Sequence, residues 1–363
     1  MSGRRTVFVN ARFLSEPITG VQRCGRELLR EFDAMLEEGE VDRGRFGFTL
    51  LTPEPPLGFS CRHLQLHVAG PWRSHLWEQM ALPRRAPGFL LSLKNTAPAF
   101  RRGGGLLIHD LQVYGCPDTH GRTFQRLYRF ITPRAARRAA ALFAPSQFTA
   151  GEIERFLAIP AAAVTVTSEG HEHALREGAD PAILARHRIP AGAYLLAVSS
   201  LNPNKNFAAV LRALRLLDTR DVAFVIAGGA NPQVFARSDP TALPAGAIHV
   251  GRVSDAELRA LYENALAFVF PSFYEGFGLP PLEAMALGCP VVCSNSSSLP
   301  EVGGDAVLYC DPADDADIAR QVRRLIDEPR LRGELAERGR RRAAGFRWRD
   351  AARRIWQRIE PLL

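Results

Sequence analysis

Apolar residues follow two patterns that alternate along the chain. Short uninterrupted runs, such as residues 194–198 and 267–270, are separated by longer segments, such as 207–217 and 255–264, in which apolar residues recur about every 3.6 positions. The runs predict strands that are buried on both faces, and the longer segments predict amphipathic helices. Strands that alternate with helices are typical of α/β proteins with parallel sheets.

The pattern occurs as two series, and the length of the chain fits two domains. A chain of 363 residues is long enough for each domain to bury its own hydrophobic core. We predict a first domain at residues 1–174, a second at 175–345, and a C-terminal helix within 346–363. The predicted strands lie at residues 6–10, 47–51, 64–68, 89–93, 106–108, 141–144 and 164–167 in the first series, and at 194–198, 222–227, 248–250, 267–270, 291–293 and 306–309 in the second.

Composition excludes several classes of protein. Hydrophobic residues make up 46% of the chain and charged residues 23%, as in ordinary globular proteins. No apolar run is long enough for a signal peptide or a membrane-spanning helix, so we expect a cytoplasmic protein whose membrane contacts are peripheral. The six cysteines form no CxxC pair, and we expect them to be reduced.

The formal net charge of +8 favours an anionic partner. A phosphorylated substrate, a phospholipid surface and a nucleic acid would all satisfy it. Nucleic acid is disfavoured because the basic segments lack the signatures of the common nucleic-acid-binding modules. The chain also has no GxGxxG fingerprint, so we expect no dinucleotide cofactor.

The segment Pro271–Met285 is the strongest candidate for a binding site. It follows the predicted strand 267–270 and leads into a predicted helix that begins at Pro280 or Pro281. The backbone amides of Phe277, Gly278 and Leu279 then lie just before a helix N-terminus, where phosphate groups bind. Two glycines in the loop, Gly276 and Gly278, would let a ligand approach the backbone closely.

Two carboxylates flank this loop. Glu275 and Glu283 could accept hydrogen bonds from hydroxyl groups at the two ends of a diphosphate. The alternative is structural, with Glu275 a solvated loop residue and Glu283 a carboxylate that complements the dipole of a first helical turn.

The letters EGFGLPPLEAM at residues 275–285 resemble the donor-site signature of retaining GT-B glycosyltransferases of the family 4 type, with bacterial polysaccharide mannosyltransferases among them. The resemblance extends over nearly the whole chain. Further matching segments are Gly20–Arg23, His75–Gln79, Ile108–Asp110, Ala144–Ser146, Leu201–Asn206, Gly251–Asp255, Leu261–Tyr262 and Leu299–Val302.

The resemblance implies a GT-B fold, with two Rossmann-like doubly wound domains that face each other across a cleft and a C-terminal helix that crosses back to the N-terminal domain. It implies that residues 1–174 bind the acceptor and residues 175–345 bind a nucleoside-diphosphate sugar as co-substrate. The implied reaction is a metal-independent, retaining transfer of a hexose to a glycan or lipid-linked oligosaccharide in cell-surface polysaccharide biosynthesis. GDP-mannose is the expected donor, with UDP-glucose, UDP-GlcNAc or a GDP-deoxyhexose as alternatives.

Residue roles in the donor site also come from the resemblance. It implies that Glu275 binds the hydroxyls of the transferred sugar and that Glu283 binds the ribose. Lys205 and the loop amides would bind the diphosphate. The base would lie beside Arg252 and Val253. Without the resemblance, Lys205 would be a solvated loop lysine.

Three further positions complete the implied site. Relatives commonly have a second cation directly before the lysine, where this chain has Asn204, which supplies hydrogen bonds but no charge. Gly20 would let the first loop approach the diphosphate and the acceptor. His109 would lie beside the donor sugar, although a buried turn in which Asp110 caps the next segment explains the same residues equally well.

Two groups that resemble metal ligands are better explained by structure. Asp315 and Asp317 open a predicted helix, where capping and dipole interactions favour aspartates. His171 and His173 are two residues apart, so they do not share a helix face, and no third ligand is apparent. We therefore expect no metal site.

A basic segment between Arg129 and Arg138 is a candidate membrane contact. It would place four arginines beside apolar residues on one face, suited to anionic lipid headgroups. A solvated helix face is an equally good interpretation. The arginines are Arg129, Arg134, Arg137 and Arg138, and the apolar residues are Phe130, Ile131 and Leu142.

Two other functional classes stay open. Because Asn204 replaces a cation, a non-catalytic GT-B scaffold that binds a nucleotide sugar or a partner protein is the main alternative. An oxidoreductase on paired Rossmann domains is disfavoured by the absent glycine fingerprint.

Overall fold

A computed structural model describes residues 4–70, 72–119, 121–198, 203–217, 222–228 and 247–363. The chain divides into two compact units. Unit 1 comprises residues 1–170 and 347–363, and unit 2 comprises residues 171–346. These limits lie at 170/171 and 346/347, where the sequence predicts 174/175 and 345/346.

Both units are built on parallel sheets, as predicted. Within the described residues, unit 1 has a seven-stranded sheet in the order β3-β2-β1-β4-β5-β6-β7, and unit 2 has a six-stranded sheet in the order β10-β9-β8-β11-β12-β13. The strands are β1 Arg5–Asn10, β2 Phe46–Thr52, β3 Gln65–Val68, β4 Phe89–Ser92, β5 Gly105–Leu107, β6 Ala141–Ala144, β7 Val164–Val166, β8 Tyr194–Val198, β9 Ala223–Ala227, β10 Ala247–Gly251, β11 Ala267–Phe270, β12 Val291–Ser294 and β13 Leu308–Cys310.

The strand order of each sheet reverses at one point. In unit 1 the reversal lies between β1 and β4, and in unit 2 it lies between β8 and β11. Loops diverge at such a switch point and leave a crevice outside the carboxyl ends of the strands, where ligands of doubly wound sheets bind.

The helices connect the strands and cover the sheets. They are α1 Gly20–Glu38, α2 Ser74–Leu76, α3 Leu82–Arg85, α4 Gln112–Gly115, α5 Arg122–Ala136, α6 Gln147–Leu157, α7 His173–Arg176, α8 Ala182–Arg186, α9 Phe207–Leu217, α10 Asp255–Asn264, α11 Leu279–Ala286, α12 Leu299–Gly303, α13 Asp315–Asp327, α14 Pro329–Ala343 and α15 Trp348–Ile359, with a π-helical turn at Trp77–Ala81 between α2 and α3.

The central strands have continuous apolar sequences because both of their faces are covered. In β8, Tyr194 and Leu196 pack into a core cluster on one face of the sheet, and Leu195 and Ala197 pack into a second cluster on the other face. Side chains alternate across a strand, so a strand that is buried on both sides has no polar alternation.

The C-terminal helix α15 belongs to unit 1, which confirms the expected return of the chain. The ring of Trp356 packs edge-on against Phe46 of β2 with centroids 5.0 Å apart. Arg349 joins three carboxylates at the end of α1 and just beyond it, with N–O distances of 2.6 to 2.8 Å to Glu31, Glu38 and Glu40. Because of its hydrogen bond to Arg353, the pKa of Glu40 falls to about 2. The ion pairs fix the orientation of α15, and the buried Trp356 supplies apolar area.

None of the helices that the structure describes has the length and apolar character needed to span a bilayer. All six cysteines are free thiols.

Candidate functional site

Lys205 and Glu275 form an ion pair at the switch point of unit 2. Lys205 follows β8, Glu275 follows the neighbouring strand β11, and the ammonium Nζ lies 2.6 and 2.8 Å from the two carboxylate oxygens. Glu275 is buried. Neither residue is therefore a freely solvated loop side chain. The pair lies where doubly wound sheets bind their ligands.

Serines that the sequence did not single out hold the Glu275 loop. The backbone N–H of Glu275 donates to Ser297 Oγ at 3.0 Å. Ser298 Oγ donates to the carbonyl oxygens of Glu275 and Phe277 at 2.9 and 2.6 Å. The signal was the serine run at residues 296–298, which follows β12, but nothing in the sequence showed which loop it contacts.

Asn204 is buried and connects the two loops of the site. Its side-chain amide donates to the backbone carbonyl oxygen of Tyr274 at 2.9 Å. The backbone carbonyl oxygen of Asn204 accepts the N–H of Phe273 at 2.8 Å. The residue in the place of the expected second cation thus braces the loop that carries Glu275. Residues 201 and 202 of the matching segment lie outside the described residues.

The glycine loop differs from the prediction in where the helix starts. Helix α11 begins at Leu279, one or two residues before the predicted prolines, because Gly278 with φ +120° ends the loop as the N-cap. A Cβ on Gly278 would meet the side chain of Leu299 at 2.7 Å. The positive φ of Gly278 favours glycine, and the close approach of a ligand at this position stays a prediction.

The loop presents unpaired backbone donors. The N–H groups of Phe277, Gly278 and Leu279 have no acceptor in the described part of the chain. They lie at the N-terminus of α11, where Pro280 and Pro281 carry no N–H. This arrangement suits a phosphate group.

Glu283 lies in the second turn of α11, so complementing the dipole of a first turn does not explain it. His173 Nε2 donates to one of its carboxylate oxygens at 2.8 Å, and the Tyr262 hydroxyl donates to the other at 3.3 Å. Burial, followed by the charge of Glu283, raises the pKa of Tyr262, so this hydroxyl stays protonated. Two hydrogen-bond donors therefore orient one buried carboxylate.

The two histidines that the sequence set aside as metal ligands have separate partners. His171 Nδ1 donates to the carbonyl oxygen of Phe346 at 2.8 Å, whereas His173 faces Glu283. The role of His173 was missed because 110 residues separate it from Glu283.

The residues expected beside the nucleotide base follow β10. Arg252 is exposed and Val253 is half-buried. Val253 packs against the core cluster that includes Phe277, and the role of both residues beside the base stays a prediction.

In unit 1, His109 is buried just beyond β5, and both of its ring nitrogens lie near protein acceptors. Nε2 donates to the carbonyl oxygen of Leu93 at 3.0 Å, and Nδ1 lies 3.5 Å from a carboxylate oxygen of Glu169. The side chain of Asp110 accepts the N–H of Gln112, the first residue of α4, at 3.0 Å. The sequence was compatible both with this buried turn and with a contact between His109 and the donor sugar. A sugar contact through the ring would require one nitrogen to change partner.

Cys24, His109 and Glu169 form a group with potential ligand atoms within 4.8 Å of one another. The carboxylate of Glu169 lies beside both other groups, 3.5 Å from His109 Nδ1 and next to the Cys24 thiol. Burial and the neighbouring Glu169 raise the pKa of Cys24 well above its usual value, so the thiol stays protonated beside this carboxylate.

Gly20 is the exposed first residue of α1, and a Cβ there would meet no atom within 4 Å. The space beside this turn is open.

The aspartates at the start of α13 act as the sequence predicted for caps: Asp314 accepts the N–H of Ala316 at 2.9 Å, and Asp317 accepts the N–H of Asp311 at 2.8 Å.

Residues 182–342, which contain most of unit 2, match the family model described as glycosyl transferases group 1. O-antigen chain mannosyltransferase B from Escherichia coli is 33% identical over 251 residues, which are 67% of this chain and 66% of that relative. The chain contains a domain of the glycosyl transferases group 1 family. It spans just under two thirds of the length of this curated relative.

Solved structures show the fold of this group 1 glycosyltransferase domain and of the unit before it. Sucrose-phosphate synthase from Thermosynechococcus elongatus is similar with a TM-score of 0.76 and 18% identity, covering 99% of each chain. Anabaena HepE, solved with UDP and glucose, is similar with a TM-score of 0.73 and 18% identity, again covering 99% of each chain. The fold is therefore GT-B, as the resemblance implied.

Proposed function

We propose that this chain is a retaining, metal-independent hexosyltransferase that transfers mannose from GDP-mannose to a glycan or lipid-linked oligosaccharide in cell-surface polysaccharide biosynthesis. The observation that carries the proposal is the pair of buried glutamates, Glu275 and Glu283, at the two ends of a loop with unpaired amides. Lys205 contacts the first of them. The choice of mannose and of polysaccharide biosynthesis is supported by the similarity to O-antigen chain mannosyltransferase B of E. coli.

The loop and Lys205 suit the departure of a diphosphate. Negative charge develops on this leaving group as the bond to the sugar breaks, and preorganised amides and an ammonium group stabilise it. In the ligand-free chain, the charge of Lys205 is balanced by Glu275. A diphosphate competes for the ammonium group, which releases the carboxylate of Glu275 to accept hydrogen bonds from the sugar.

The other roles follow the resemblance. Glu283 binds the ribose hydroxyls, and the base lies beside Arg252 and Val253. Gly20 and His109 contribute from unit 1. Asn204 supports the loop.

A ligand panel tests the function. Titration calorimetry with GDP, UDP, ADP, TDP and NAD(H), followed by their sugar conjugates, should give selective binding of GDP and GDP-mannose, and GDP-mannose should be turned over with an α-mannoside acceptor. Selective binding of a UDP-sugar or a GDP-deoxyhexose would replace the donor. Binding without transfer or hydrolysis would favour a scaffold, and binding of NAD(H) an oxidoreductase.

We further propose that α5 contacts anionic lipid at the inner face of the plasma membrane, but through a different set of apolar residues from the predicted one. Ile131 and Leu142 are buried in the core, because Ile131 lies on the inner face of α5 and Leu142 on β6. The exposed apolar residues are Phe100, Phe124, Leu127 and Phe130.

Arginines accompany these exposed rings. The guanidinium group of Arg134 lies 3.8 Å from the ring centroid of Phe130, and that of Arg138 lies 6.0 Å from Phe100. Aromatic rings beside arginines suit the interface of an anionic bilayer.

We expect the double variant Phe100→Ser/Phe130→Ser to sediment less with vesicles that contain 30% phosphatidylglycerol, because it loses both apolar anchors. Its binding should fall about tenfold. Leu216→Ser, which changes an equally exposed residue of unit 2, is the matched control. Equal sedimentation of the double variant and the wild type would contradict the membrane contact.

A further inference from the structure

The chain contains two lysines among its 46 basic side chains, Lys94 and Lys205, and all the others are arginines. Arginine therefore serves wherever this protein needs a surface cation. Lysine differs because its ammonium group is a compact point charge with three donors, whereas guanidinium is a broad planar fork. The two lysines mark positions where a compact cation is used.

Both lysines pair with a glutamate at a switch point. In unit 2, Lys205 follows β8 and Glu275 follows β11. In unit 1, Glu16 follows β1 and Lys94 follows β4, with Nζ 2.6 Å from a carboxylate oxygen. The two pairs thus occupy equivalent places in the two sheets, with lysine and glutamate exchanged. The first place is the proposed donor site, and the second is also a crevice where such sheets bind ligands.

A buried polar network lies below the Lys94–Glu16 pair. Arg12 Nη2 and Nη1 lie 3.4 and 3.8 Å from Glu78 and Glu16. The carboxylate of Glu78, which is fully buried, accepts hydrogen bonds from Asn10 and Thr96 at 3.0 Å each. Burial opposes the ionisation of Glu78, but nearby His75 and the charge of Arg12 lower its pKa to about 2, so the network stays charged.

Two atoms of this network have no partner among the described residues. They are Asn10 Oδ1 and Arg12 Nε, in side chains that are almost completely buried. A buried polar atom without a partner costs free energy, so such atoms mark places where a water or ligand hydroxyl completes the network.

The charges of the network decide the class of ligand. Two cations, Arg12 and Lys94, face two carboxylates, Glu16 and Glu78, so the site carries no net charge from these groups. An added phosphate would face two carboxylates, whereas a neutral sugar offers hydroxyls that both donate and accept. Tyr128 adds an aromatic ring, which packs edge-on against His75 with ring centroids 5.4 Å apart.

The same loop connects this network to His109. Its residues Leu93 and Asn95 accept hydrogen bonds from the ring Nε2 and the backbone N–H of His109, at 3.0 and 2.6 Å. Lys94 lies between them in the sequence. A sugar bound at Lys94 therefore lies next to the histidine that is proposed to contact the transferred sugar.

We propose that the crevice between β1 and β4 binds a neutral sugar residue of the acceptor, with Glu16 and Lys94 as its direct ligands and Arg12, Asn10 and Glu78 as the layer that positions them. The reachable groups are Glu16 and Lys94, whose side chains are 29% and 11% exposed. The identification of the bound sugar as part of the acceptor rests on the proposed function. The binding of a neutral sugar at this site does not depend on it.

The test uses saccharides as probes. Binding of methyl α-D-mannopyranoside and α-mannobiose to the full chain is measured by NMR titration for the wild type, Lys94→Met and Glu16→Gln, with mannose 6-phosphate as the anionic probe. We expect each substitution to weaken neutral-sugar binding about tenfold, because each removes a hydrogen bond to a charged group. Arg62→Met and Glu37→Gln, which break an exposed ion pair in the same unit, should leave binding unchanged.

The outcomes separate this site from the donor site. GDP affinity, measured by calorimetry on the same variants, should stay within about twofold of the wild type, because Lys94 and Glu16 belong to unit 1. The proposed site is wrong if folded Lys94→Met or Glu16→Gln binds the neutral sugars as tightly as the wild type does. It is also wrong if the wild type binds no neutral sugar or prefers mannose 6-phosphate. Loss of GDP binding by the wild type would instead contradict the proposed function.

Discussion

Replacing Glu275 by glutamine is expected to reduce the turnover of sugar transfer by about 100-fold or more, the cost of removing one preorganised charged group from a reaction centre. Glutamine keeps the shape of the side chain but loses the negative charge that accepts hydrogen bonds from sugar hydroxyls and holds Lys205 at 2.6 and 2.8 Å. The dissociation constant of the nucleoside diphosphate should stay the same or fall, because Lys205 is no longer neutralised.

The partner of Glu275 provides the critical control. Lys205→Met should weaken diphosphate binding more than nucleoside binding, and the double variant Lys205→Met/Glu275→Gln should show an effect smaller than the sum of the two. Glu263→Gln breaks an exposed ion pair with Arg259 in the same unit and should leave turnover unchanged. Near-wild-type turnover of Glu275→Gln would contradict the assignment of the transferred sugar to this residue.

The strands could be predicted because their burial leaves a local signal. β8 and β11 are apolar throughout, since each packs against a core on both faces, and their predicted limits coincide with those in the structure. The helix after the glycine loop could not be placed as well. Proline indicated a start at residue 280 or 281, but the conformation of Gly278, with φ +120°, sets the start at Leu279.

The face of a helix was harder to predict than the helix itself. The segment at 129–138 was predicted as a basic amphipathic face that included Ile131, yet Ile131 is buried on the inner face of α5. Phe100, which lies beside Phe130 with ring centroids 6.2 Å apart, was not considered because it precedes the helix by more than 20 residues.

The site residues were predicted by motif, but their partners were not. Lys205 and Glu275 are 70 residues apart, and Glu283 and His173 are 110 apart. Such contacts depend on which strands are neighbours at the edge of the sheet, and no periodic pattern in one sequence specifies that order. The sequence therefore supplied the two glutamates and Lys205 as separate site residues, but not the ion pair between Lys205 and Glu275 or the serine and histidine contacts of the glutamates.

Replacing Glu283 by alanine should weaken the binding of GDP by roughly 10- to 100-fold, the loss expected for hydrogen bonds between a carboxylate and two ribose hydroxyls. His173→Ala should produce a smaller loss of about 3- to 10-fold, because the carboxylate remains but one of its orienting donors, 2.8 Å away, is gone. His173→Gln, which retains an N–H donor, should recover part of the affinity. His171→Ala, two residues from His173, loses a donor to the backbone carbonyl of Phe346 and is the matched control.

Nucleotides without ribose hydroxyls distinguish recognition from folding. With 2′,3′-dideoxy-GDP, the wild type, Glu283→Ala and His173→Ala should bind with nearly equal affinity, since the interaction that the substitutions remove is already absent. A merely structural role for His173 would instead weaken GDP and its dideoxy analogue by the same factor. The comparison is made by calorimetry on variants with unchanged thermal unfolding temperatures, and equal losses for both nucleotides in Glu283→Ala would contradict the assignment of the ribose to this glutamate.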